Sequence, residues 1–146
     1  MIIAIDFDGT CVTQNYPDMG KEIGAAPVIK SWSDRGHQII LLTMRDADQL
    51  EDAIRWFWQH DIPLFGINNN PEQHLWTESK KVYANVYVDD ANLGIPLTYN
   101  CDISPSPFVN WQVVEILFKQ IEEKKIPHGN TFLHKDVIKH AQKEAN

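Results

Sequence analysis

Ile2-Ile3-Ala4-Ile5-Asp6-Phe7-Asp8-Gly9-Thr10 is an apolar run that ends in two carboxylates, a glycine and a threonine. Four consecutive apolar residues, Ile2 to Ile5, predict a strand buried on both faces, as in a parallel sheet. Such a sheet takes ligands in the crevice beyond the carboxyl ends of its strands, which is where Asp6 and Asp8 fall. Two apart in an extended segment, they point the same way, with Phe7 turned back into the protein. Two carboxylates on one side of a strand end repel unless a cation or a shared proton relieves them. The stretch therefore predicts a site for a hard divalent metal, for acid–base chemistry, or for both.

Outward from this stretch, strands alternate with helices. Cys11 to Gly24 is polar and holds Pro17, Gly20 and Gly24, so it reads as a loop or small flap over the strand end. Ala25, Val28, Ile29 and Trp32 recur at helical spacing, with Pro27 in the first turn and Gly36 at the C-terminal cap. Gln38 to Thr43 is a second buried strand ending in a polar residue. Asp46 and Gln49 resemble a capping box, and Leu50, Ala53, Ile54, Phe57 and Trp58 make the stripe of a second helix. Trp56 lies off that stripe and is a candidate contact in a homo-oligomer. Ile62 to Ile67 reads as a third strand, and the polar stretch from Asn68 to Ser79 holds at most a short helix. Val82 to Val88 forms a fourth strand running into Asp89-Asp90, and Pro96 to Asn100 a short fifth. Ser104 to Pro107 is a turn or helix entry. Trp111, Val114, Leu117, Phe118 and Ile121 mark a strong helix, ended by Pro127 to Asn130. Leu133, Val137, Ile138 and Ala141 suggest a weaker last one. The pattern predicts a single α/β domain over residues 1–146, a Rossmann-like three-layer sandwich on a mainly parallel sheet of about five strands, with a helical extension from about residue 107.

Composition narrows the function classes. The chain has 146 residues, 43% of them hydrophobic, and a net charge of -7. That suits one domain with a real core. The acidic balance argues against a nucleic-acid or membrane-surface binder, since phosphate backbones reward basic patches. It leaves room for a phosphorylated ligand, because a bound metal inverts the field in one cleft. Two cysteines, Cys11 and Cys101, make no disulfide framework and fit a reducing, cytoplasmic setting. No apolar run approaches the roughly 18 residues that would span a bilayer.

Parallel strands bring their carboxyl ends to one edge, so Asp6, Asp8, Thr43, Asp89 and Asp90 are expected to meet there, with Lys80 and Lys81 just before the last strand. This ordered set resembles the haloacid dehalogenase superfamily, the mostly Mg²⁺-dependent, aspartate-nucleophile phosphatases. Asp6-Phe7-Asp8-Gly9-Thr10 matches the first motif and Leu41-Leu42-Thr43 the second. Lys81 (or Lys80) matches the lysine of the third, Lys81 being preferred on its distance from Asp89. Val86-Tyr87-Val88-Asp89-Asp90 matches the fourth.

The resemblance implies a phosphomonoesterase, with nucleotide or polynucleotide-end phosphatase as a narrower alternative and a non-catalytic phosphate- or metal-binding protein as another. Asp6 is then the nucleophile, forming an aspartyl-phosphate. Asp8 protonates the leaving oxygen and later takes a proton from water. Mg²⁺ is held by Asp6, the Asp8 backbone carbonyl and Asp89, with Asp90 orienting its neighbours at the same metal site. Thr43 and amides near Asp8 and Gly9 hold phosphate oxygens, and a lysine, Lys81, offsets the charge. Arg45 faces the cleft to grip a phosphate, or else makes a surface pair with Asp46 or Asp48. The short gaps between motifs imply a capless member with an open site, acting on a phosphorylated small molecule or a phosphorylated macromolecule end. His74 and Trp76 are candidates for a specificity wall.

Overall fold

The computed structural model describes residues 1–124. The stretch Pro127 to Asn130 and the expected helix around Leu133 to Ala141 lie outside the described residues. Four strands form the sheet in the order β3-β2-β1-β4, all parallel. They are β1 (Ile2–Ile5), β2 (Gln38–Leu41), β3 (Leu64–Ile67) and β4 (Val86–Val88). Helices α1 (Ala25–Asp34), α2 (Ala47–Gln59) and α3 (Trp111–Glu122) complete the framework. This is an α/β, Rossmann-like architecture. β1 is buried at every residue, as its unbroken apolar run requires. The expected fifth strand exists as β5 (Leu97–Thr98), but it pairs antiparallel with β6 (Phe108–Val109) in a separate two-stranded ribbon. Among the described residues the main sheet therefore has four strands. With only two residues each, β5 and β6 are too short to extend it.

The handedness of the crossovers decides which face each connection covers. From β1 to β2 to β3 the chain steps the same way across the sheet, so right-handed crossovers put α1 and α2 on one face. Their Ala25, Ile29, Trp32, Ala53 and Phe57 pack with Ile3, Ile5, Phe7, Ile39 and Leu41 into the main core. α3 adds Trp111, Val114 and Phe118 to the same core. The return from β3 to β4 reverses direction and lands on the other face. There Ala84, with the partly buried Leu42, Phe65, Val82 and Tyr83, covers Ile2, Ala4 and Ile40. That return contains a single 3-10 turn, Gln73–Leu75. Among the described residues the second face is thus covered by a folded loop, because between Asn68 and Lys81 only Leu75 and Trp76 are large and apolar, too few for a helical stripe.

Three local expectations change. Asp46 is the N-cap of α2, but its side chain makes no capping bond. The next residue, Ala47, has φ 44°, so the chain enters the helix off the path that aims a capping oxygen at the third amide. Trp56 is buried (3% exposed) and Trp58 is the exposed ring (76%), the reverse of the expected stripe. The Trp56 indole sits edge-on to Phe7, 5.7 Å between centroids, and donates to Glu22 at 2.5 Å, which removes it as a subunit contact. Ser104 to Pro107 leads into β6, and the helix starts only at Trp111, capped by the Asn110 side chain accepting from the Val113 amide. No helix among the described residues is long and apolar enough to cross a membrane.

Candidate active site

At the carboxyl edge of the sheet the chain leaves β1 through Asp6, whose amide donates to the Val88 carbonyl of β4 at 2.9 Å. β4 in turn runs directly into Asp89 and Asp90. One carboxylate oxygen from each of Asp6, Asp89 and Asp90 lies within 4.8 Å of the others. Thr10 ties the group together. Its hydroxyl donates to Asp6 Oδ2 and accepts from the Asp90 amide, both at 3.0 Å. Gly9 has φ +79°, and a Cβ there would stand 2.3 Å from Asp90 Oδ2. Only glycine meets both conditions.

Like charges gathered this closely need a cation or a shared proton to relieve them. Burial pushes the Asp6 carboxyl up to about 7, with the charges of Asp89 and Asp90 adding to it. Hydrogen bonds to the Phe7 amide and the Thr10 hydroxyl act in the opposite direction. Asp90 is raised too, first by burial and then by Asp89. Three oxygen ligands at this spacing suit a hard divalent ion such as Mg²⁺, which binds through a few carboxylates and keeps several waters. The donor set fits the expected metal.

Other expected residues take distinct positions. Thr43 lies buried two residues beyond β2; its amide donates to Asn68 Oδ1 at 2.7 Å and its hydroxyl accepts from the Arg45 amide at 3.2 Å. The Asp8 side chain turns away from the three-carboxylate cluster and toward Arg45, accepting at both oxygens from Nε (2.7 Å) and Nη2 (2.8 Å). Arg45 thus pairs with neither Asp46 nor Asp48. Lys80 and Lys81 are exposed, and neither is among the groups that act on Asp6. Lys81 lines one cavity with Val86, Tyr87 and Val88 of β4, an edge strand of the sheet, and also the pocket that holds Trp76 and Asn85. Trp76 packs edge-on to Tyr83 at 5.3 Å. It shares a 460 Å³ pocket with Asn85, whose side chain accepts from the Ile2 amide at the amino end of β1. Trp76 is therefore not a wall of the carboxylate cleft.

Sequence reading gave no role to three residues that shape the site. Thr10 belongs to the quoted motif, but its bridging hydroxyl is visible only in three dimensions. Asn68, with φ 51°, orients the Thr43 amide. Trp111 donates its indole N–H to the Thr10 carbonyl at 2.6 Å, and the Val109 amide donates to the Gly9 carbonyl at 3.0 Å. The segment entering α3 thus holds the motif loop from behind.

A parallel sheet with carboxylates gathered at its strand ends defines the class: a protein of the haloacid dehalogenase-like phosphatase fold. A family model described as "PITM 1-3, LNS2 domain" matches residues 3–121, and the chain belongs to that family. The family has this same fold, which supports phosphatase activity in general terms. A solved structure of a conserved protein from Bacteroides thetaiotaomicron is 33% identical, with a TM-score of 0.66. The match covers 86% of this chain and 93% of that one. No curated protein matches the chain.

Proposed function

We propose that the chain is a Mg²⁺-dependent phosphomonoesterase that works through an aspartyl-phosphate on Asp6. The observation that carries this reading is the convergence of Asp6, Asp89 and Asp90 within 4.8 Å, at the end of a motif loop tightened by Gly9 and Thr10. Mg²⁺ held by Asp6, Asp89 and Asp90, with the Asp8 carbonyl, would neutralise phosphate charge and keep Asp6 ionised. An Asp6 oxygen attacks phosphorus and the bond to the leaving oxygen breaks. Asp8 supplies the proton that the leaving oxygen takes up. Water then attacks the phosphoryl group, Asp8 accepts its proton, and phosphate leaves with Asp6 restored. The Thr43 hydroxyl donates to a phosphate oxygen, and Lys81 is the candidate for the remaining positive charge.

Residues 11–24 and the β2–β3 connection contain no second folded unit among the described residues, which supports a capless, open site. That openness admits a phosphorylated small molecule or a phosphorylated macromolecule end. The test is turnover of an aryl phosphate with and without Mg²⁺, for wild type and Asp6→Asn. Metal-dependent turnover, lost in the variant, is the expected result. Absence of turnover across a broad panel of phosphate esters would overturn the reading in favour of a binding role.

A further inference from the structure

Arg45 is an unusual residue to find buried. Its side chain is 1% exposed, and burying a guanidinium is costly unless its donors are matched. Here they are matched, and by groups of the protein itself. Nε and Nη2 hold the two oxygens of Asp8 at 2.7 and 2.8 Å. Nη2 also donates to the Asp18 carbonyl at 2.8 Å, and Nη1 to the Pro17 carbonyl at 3.3 Å. The flat faces are taken as well: the guanidinium carbon lies 5.1 Å from the Phe7 ring centroid and 5.6 Å from that of Tyr16. Four of the five N–H donors are thereby engaged, and no fork remains to grip a phosphate.

We infer that Arg45 is a positioning residue rather than a phosphate ligand: it sets the Asp8 carboxylate and latches the 11–24 loop to it. Two parallel N–H···O bonds fix the plane of a carboxylate as well as its place. Each Asp8 oxygen keeps a second lone pair, so the fixed carboxylate can still take a proton from water. Through Pro17 and Asp18 the same guanidinium fastens the loop over the strand end, so loop and proton-handling group are held by one side chain. The positioning role rests on the phosphatase reading above; the latch does not.

A double-mutant cycle tests it, using an aryl phosphate and Mg²⁺ with wild type, Arg45→Met, Asp8→Asn and the pair together. Arg45→Met is expected to lower kcat about 10- to 100-fold, the scale of a misplaced catalytic group. KM and the inhibition constant of inorganic phosphate should move less than about 2-fold, since ground-state binding is untouched. In the Asp8→Asn background the same change should cost less than about 2-fold, because Arg45 acts through Asp8. Arg45→Lys, which keeps the charge but not the fork, should recover only part of the rate. Phosphate inhibition weakened about tenfold, or an equal loss with and without Asp8, would mean that Arg45 binds substrate and would overturn the assignment. Hydrogen exchange over Thr13 to Lys21, well below the melting point of each variant, reads the latch without turnover. Faster exchange in Arg45→Met supports it, and unchanged exchange overturns it. A wild type with no turnover sinks the phosphatase reading and the positioning role together, while exchange still decides the latch.

Discussion

Gly9 and Thr10 show how much of the site rests on two small side chains. A methyl group at Gly9 meets Asp90 Oδ2 at 2.3 Å, and the positive φ adds its own penalty of about 1–2 kcal/mol for an L-residue. Gly9→Ala is expected to lower the urea midpoint and to abolish Mg²⁺-dependent turnover, because Asp90 has to move. Thr10→Val keeps the shape but removes the hydroxyl that accepts from the Asp90 amide. Leaving that amide unpaired costs about 1–3 kcal/mol, measurable by equilibrium unfolding. Thr10→Ser keeps the hydroxyl and should recover most of that loss. Both residues stand in the quoted motif, and the need for a small residue at Gly9 was legible there. The reasons were not, since Asp90 is eighty positions away and meets them only through the pairing of β1 with β4.

At the scale of elements, α2 departs from its pattern, while α3 buries Trp111, Val114 and Phe118 of its predicted stripe. The stripe of α2 predicted that Trp58 would be buried and Trp56 exposed, and the reverse holds. A one-step error in helical phase is enough, because adjacent residues differ by about 100° around the axis. Trp56→Ala should cost about 3–5 kcal/mol in chemical denaturation, whereas Trp58→Ser should stay within about 0.5 kcal/mol. α3 is tied to the start of β2 by His37. Nδ1 of His37 faces the N-terminal ammonium at 3.0 Å and must accept, so Nε2–H donates to Glu122 at 2.6 Å. Burial lowers the His37 pKa, and the ammonium adds to this, against the pull of Glu122. A histidine depressed in the folded state contributes stability that is present above its unfolded value near 6.5 and lost as pH falls through its lower folded value. The His37 share of stability should therefore be lost on acidification below about pH 6.5, while Asp6, raised to about 7, gains stability over the same range; the His37 share is read as the difference between wild type and His37→Gln in how the urea midpoint changes from pH 7.5 to pH 5.

Across the whole molecule, the three clustered carboxylates are a charge that folding assembles. In the unfolded chain Asp6 stands far from the adjacent Asp89 and Asp90, so a divalent cation binds the folded state preferentially and stabilises it by mass action. Millimolar Mg²⁺ is expected to raise the melting temperature of wild type and to have a much smaller effect on Asp6→Asn, as followed by thermal unfolding. The parallel α/β order, the burial of β1 and the carboxylates that follow β1 and β4 were all legible in the residues alone. These follow from local facts: apolar runs of strand length, helical periodicity between them, and turn residues where each strand stops. Long-range contacts settle the rest: that the sheet has four strands among the described residues, that the β3–β4 return covers its face as a loop, that Arg45 holds Asp8, and that Trp111 braces Thr10. Each of those depends on contacts between residues dozens of positions apart, whose partners are chosen by crossover handedness and packing rather than by any pattern within a window of sequence.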